Sequence, residues 1–115
     1  MTDITDRESL NILIDKFYER VEKDEILSSF FIGVNWEKHK IKMLDFWSFV
    51  LLDIPGYNTN LFDVHSKLPI QNAHFQRWID IFSETVKANF SGINAELAIQ
   101  KAKIIAASFS AKMNL

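Results

Sequence analysis

Three histidines, His39, His65 and His74, carry the side chains whose chemistry is decided by their surroundings. Imidazole ligates metals, moves protons near neutral pH and forms hydrogen bonds, so spacing must choose among these uses. A structural zinc site wants four ligands, commonly in short paired spacings. No His-x-x-x-His occurs, and the chain has no cysteine, which also removes disulfides, thiolate metal sites and a cysteine nucleophile. A carboxylate-bridged di-iron bundle calls for Glu-x-x-His pairs on inward helix faces. No glutamate stands three residues before any of the three histidines.

Haem asks for less, because its iron needs only one imidazole from the protein. The remaining requirement is a flat apolar slot with a few polar groups over the open face. His65, flanked by Leu61, Phe62 and Leu68 and followed by Pro69, suits a ligand that must be held rigidly. His39 stands between Trp36 and Met43, and His74 beside Phe75. On residue chemistry alone each of the three is more readily a satisfied, partly buried side chain. The ten Phe, three Trp and two Tyr can line a sizeable apolar cavity, since each ring covers a large area, but a plain Phe-rich core uses them equally well.

The elements that must position these residues all read as helices. Thr5-Asp6-Arg7-Glu8 has the form of a capping box, and Leu10, Leu13, Ile14, Phe17 and Val21 follow at helical spacing to about Lys23. Tyr18 flanks that stripe and can point inward. Leu27 to Gly33 is a short apolar turn or 3₁₀ segment. Asn35 is a cap for a helix to about Leu52, whose inner face carries Trp36, His39, Met43, Phe46, Trp47 and Val50. Asp53 to Asn60 is rich in helix breakers. Leu61 to Leu68 predicts about two helical turns, stopped before Pro69. Asn72 opens a helix to about Phe90, with Phe75, Trp78, Ile79, Phe82 and Val86 on one face. After Ser91-Gly92, a last helix runs from Asn94 to about Lys112 with Leu97, Ala98, Ala102, Ile105 and Phe109 inward. No stretch alternates with period two, and there are no repeats or low-complexity segments, so the fold class is all-α.

The 115 residues fit one domain over 1–115. A net charge of −2 with interspersed signs offers no basic stripe for nucleic acid. No apolar run approaches the ~18 residues of a membrane span. Met1 to Arg7 is too polar for a secretory signal, and with no cysteine the expected location is cytoplasmic.

The order Phe17-Tyr18-Glu19-Arg20-Val21, Trp36-Glu37-Lys38-His39-Lys40, Phe46-Trp47, His65-Ser66-Lys67-Leu68 and His74-Phe75-Gln76-Arg77-Trp78 resembles the truncated haemoglobins, most nearly their group III. The likeness runs from about Thr5 to Phe109. The paired glycine motifs of other truncated haemoglobin groups are missing, in agreement with group III.

This resemblance implies a globin-like, truncated two-over-two helical sandwich around haem b (iron protoporphyrin IX). It places His65 at the iron as proximal ligand. Tyr18, His39 and Trp78 then fall around a diatomic ligand (O₂, NO or CO) on the distal side. Phe31 falls on the haem face, with Met43 and Phe46 as further walls of the pocket. His39 has three open roles: donating to the ligand, gating entry, or ligating iron from the sixth side. His74 matches no haem-contacting position and reads as a helix-start residue. Lys67 and Arg77 suit either haem propionates or solvent. The implied function is reversible ligand binding at a polar distal site, for O₂, NO or peroxide redox chemistry or detoxification rather than bulk oxygen delivery. NO dioxygenation would require an electron source, such as a separate reductase. The alternatives are a haem-based gas sensor and a haem-free helical interaction module whose aromatics only build a core.

Overall fold

A computed structural model describes residues 1–57 and 65–115. Among the described residues, four α-helices and one 3₁₀ turn follow in order: α1 (Arg7–Lys23), the 3₁₀ turn (Ser28–Phe31), α2 (Trp36–Leu52), α3 (Asn72–Asn89) and α4 (Ile93–Lys112). Helix α1 packs with α2, and α3 with α4. The two pairs meet where α1 crosses α3 and α2 touches α4, which makes two layers of two helices.

Leu10, Leu13, Ile14, Phe17, Tyr18 and Val21 are all buried, as their spacing on α1 predicts. The cap lies one residue later than expected. Asp6 accepts from the Ser9 amide at 2.8 Å, and Ser9 Oγ accepts from the Asp6 amide at 3.2 Å. An aspartate caps as well as a threonine, and Ser9 stands where its hydroxyl can answer. At α2 the expected cap holds, with Asn35 Oδ1 accepting from the Lys38 amide at 3.2 Å. That helix ends at Asp53, which takes φ +56, a left-handed turn that aspartate tolerates, just before Ile54-Pro55.

The inward face of α4 is small: Ala95, Ala98, Ala102 and Ala106 are buried at spacings of three and four, which lets α3 approach closely. Helix α4 begins at Ile93 rather than Asn94, and its cap comes from far away in sequence. Asp3 Oδ2 accepts from the Asn94 amide at 3.0 Å and Asp3 Oδ1 from the Ala95 amide at 2.8 Å. Gly92, at φ +133, passes so close that a Cβ there would lie 2.5 Å from Asp3 Cγ.

The core is divided. The larger cluster joins α1, α2, α3 and the start of α4 around Phe17, Trp47 and Phe82. A smaller one gathers Ile70, Phe75, Ala106 and Phe109. Between them lies a cavity of about 250 Å³ walled by residues of both clusters. The first half of the expected helix from Leu61 to Leu68, residues 61–64, lies outside the described residues. Its end is described: His65 and Ser66 are helical, and the Leu68 amide donates to the His65 carbonyl at 3.0 Å.

Candidate functional site

Helices α1 and α2 bring one polar pair to the cavity. Tyr18 OH lies 2.9 Å from His39 Nε2. Tyr18 is 4% exposed, and burial raises its hydroxyl well above the usual tyrosine value, so it stays protonated. Burial, aided by electrostatic interaction with His65 and Lys42, lowers His39 to about 4, so its ring is neutral at neutral pH. Two aromatic rings hold the pair in place. Phe31 stacks on Trp36 at 5.1 Å, and both rings meet the edge or face of Tyr18 and His39.

Trp78 enters the same cavity from α3. Its indole stacks on Phe82 at 5.7 Å, and Phe82 stacks in turn on Trp47 at 4.9 Å, a pile of three rings that fixes the indole plane. Met43 and Phe46, from α2, complete this wall. His65 reaches the cavity from the segment before α3, with its ring 5.6 Å from Phe109 of α4. Thus all seven side chains singled out from the sequence, Tyr18, Phe31, His39, Met43, Phe46, His65 and Trp78, line one cavity.

Two positions differ from expectation. His74 does start a helix, with its Nδ1 accepting from the Gln71 amide at 2.8 Å, but its ring also lines the cavity. The available signal was spacing: His74 stands four residues before Trp78, on the same helical face. Arg77 turns away to Asp24, with Nε donating to Oδ1 at 2.7 Å. Phe75, Ile105 and Phe109, expected as core, are cavity wall as well.

Among the described residues the lining contains no Asp, Glu, Lys or Arg, and no group of three or more His, Cys, Asp or Glu is placed to hold a bare metal ion. His39, His65 and His74 form no such group, but one imidazole suffices for iron that arrives with the four nitrogens of a porphyrin.

The model of the bacterial-like globin family matches residues 3–111. The chain belongs to the bacterial-like globin family. The Group 3 truncated hemoglobin ctb of Campylobacter jejuni is 32% identical to this globin over 110 residues, covering 90% of the chain and 87% of that protein. The crystal structure of group III truncated hemoglobin from Campylobacter jejuni matches it with a TM-score of 0.91 at 28% identity, over 98% of this chain and 95% of that one. The fold is therefore that of a truncated globin, and membership of the family implies haem binding. The residues present fit that group: the cavity offers apolar walls for the ring faces, an imidazole for the iron, and buried hydroxyl and ring N–H groups for what the iron binds.

Proposed function

We propose that this globin holds one haem b in the cavity, with His65 as its ligand to iron. Tyr18, His39 and Trp78 would face a diatomic ligand bound to that haem. The observation that carries the proposal is a cavity whose described lining has no Asp, Glu, Lys or Arg and in which the imidazole of His65 shares space with a part-buried Tyr18–His39 pair. Ferrous haem supplies an open coordination position where O₂, NO or CO binds, O₂ gaining negative charge as it does so.

The proton count of the pair then assigns roles. A neutral His39 carries one N–H, and Tyr18 one O–H. If Tyr18 donates to His39 Nε2, neither proton of the pair is aimed at a ligand. With the proton on Nε2, His39 donates to the Tyr18 oxygen and frees the Tyr18 O–H for the ligand. His39 is in this way a positioning residue for Tyr18. The Trp78 indole N–H adds a second donor. Each such hydrogen bond contributes about 1 kcal/mol or more, so the cage slows ligand release. Slow release suits redox chemistry on O₂, NO or peroxide better than oxygen delivery.

Absorption spectra of protein purified from haem-replete cells test this. A Soret band is expected in the wild type, kept in His39→Ala and lost in His65→Ala. A wild type without the band overturns the proposal, and a His65→Ala spectrum equal to wild type removes His65 from the iron.

A further inference from the structure

Of the three histidines on the cavity wall, the roles above use two and leave His74. Its local geometry defines it further. A backbone amide only donates, so the 2.8 Å bond from the Gln71 amide makes His74 Nδ1 an acceptor. In the neutral ring the proton then sits on Nε2, which is thereby a hydrogen-bond donor. The ring is held at a fixed angle, edge-on to Phe30 with centroids 4.8 Å apart and planes at 86°. It is half-buried, with one nitrogen at the exposed start of α3 and one face on the cavity, which places it at the mouth.

A haem bound here brings two carboxylates of its own. A carboxylate sunk among apolar walls without a partner is strongly disfavoured, so both must leave at the mouth. The described lining contains no Lys or Arg to receive them, and the nearby Arg77 is held by Asp24 at 2.7 Å. Among the described residues of the lining, His74 offers a donor at that edge.

We propose that His74 is a haem-binding residue whose Nε2–H donates to one propionate carboxylate at the cavity mouth; this rests on the haem reading above. The helix start and the propionate are thereby tied through one ring, whose Nδ1 faces Gln71 while Nε2 faces the cofactor.

The test is transfer of ferric haem to excess apomyoglobin, run with protohaem and with its dimethyl ester. His74→Glu is the informative variant, because a glutamate at the third helical position still accepts from the cap amide but cannot donate. His74→Leu serves beside it. Loss of protohaem is expected to be about tenfold faster or more in both variants, since a hydrogen bond to a charged group is lost, with little change for the ester. Equal rates for wild type and variants on protohaem, or equal acceleration with both cofactors, overturn the proposal. In the CO form of the wild type, cross-relaxation between the His74 ring and a propionate methylene is expected, and its absence also overturns it. A wild type that retains no haem at all instead sinks the haem reading, and this proposal with it.

Discussion

The hydroxyl of Tyr18 on α1 and Nε2 of His39 on α2 lie 2.9 Å apart inside a largely apolar cavity. Two polar atoms so placed satisfy each other, and what one gives up the other must find elsewhere. Tyr18→Phe removes the donor and leaves His39 without its partner. Dissociation of O₂ from the ferrous protein is expected to speed up about tenfold or more in this variant. His39→Leu should give a smaller increase, because Tyr18 keeps its hydroxyl but loses its alignment. The two changes should combine less than additively, since they touch one network. Stopped-flow displacement of O₂ by CO measures all three, and an unchanged rate in Tyr18→Phe removes Tyr18 from the ligand.

The depressed basicity of His39 has a consequence for stability. Burial first, then electrostatic interaction with His65 and Lys42, lower it to about 4, against about 6.5 in the unfolded chain. Between those values the unfolded chain binds a proton that the folded chain refuses. Its contribution is therefore fully present above about pH 6.5 and is lost as pH falls towards about 4. Thermal melts of the haem-free chain across this window should show a decline that is shallower in His39→Gln. Parallel declines in the two proteins would exclude His39 as the cause.

Asp24 joins the end of α1 to α3. Its carboxylate is almost wholly buried and accepts from the Ile26 amide at 3.1 Å, the Leu27 amide at 3.0 Å and Arg77 Nε at 2.7 Å. Burial alone would push its pKa up, but Arg77 and the two amides outweigh that and hold it low. Asp24→Ala strands two amides and frees the guanidinium, and is expected to cost about 1–3 kcal/mol in urea denaturation. Asp24→Asn, which keeps the shape and part of the bonding, should cost less. Equal stability of the alanine variant and the wild type would show that solvent replaces these bonds.

At the other end of the molecule, Asp3 caps α4. Asp3→Ala is expected to cost about 1 kcal/mol, as the loss of a helix cap does elsewhere. Gly92→Ala should cost about 1–3 kcal/mol, because it adds backbone strain at φ +133 and presses a methyl against Asp3. In Asp3→Ala the contacts with Cγ and Oδ2 disappear and only that with Cβ, at 2.8 Å, remains beside the strain, so the double variant should cost less than the sum of the two single ones. Strict additivity would mean that the glycine and the aspartate do not meet.

Much of this was legible in the sequence because it is local. Apolar spacing located four helices, and the buried stripe of α1 is the one its period implies. Residue chemistry offered three histidines and no way to rank them. The order of motifs ranked His65, Tyr18 and His39, and the structure brings their side chains to one cavity. What escaped is non-local. Nothing near Gly92 announces that residue 3 supplies its cap, and nothing near Arg77 announces Asp24. His74 was read from its immediate neighbours as a helix start, which is true of Nδ1, while its cavity face is set by how α3 packs. Even the first cap moved by one residue, since Asp6 with Ser9 and Thr5 with Glu8 are nearly equal competitors.

The bonds from Asp3 to Asn94 and Ala95 span 91 and 92 positions. Helical proteins fold fast when their contacts are near in sequence, and slow down as contacts reach further. Here the last helix obtains its N-terminal anchor only when the first residues of the chain come back to it. Closure of this joint is thus expected late in refolding, after α1 and α2 have paired. The start of α4 is secured only once the segment around Asn94 and Ala95 can reach Asp3.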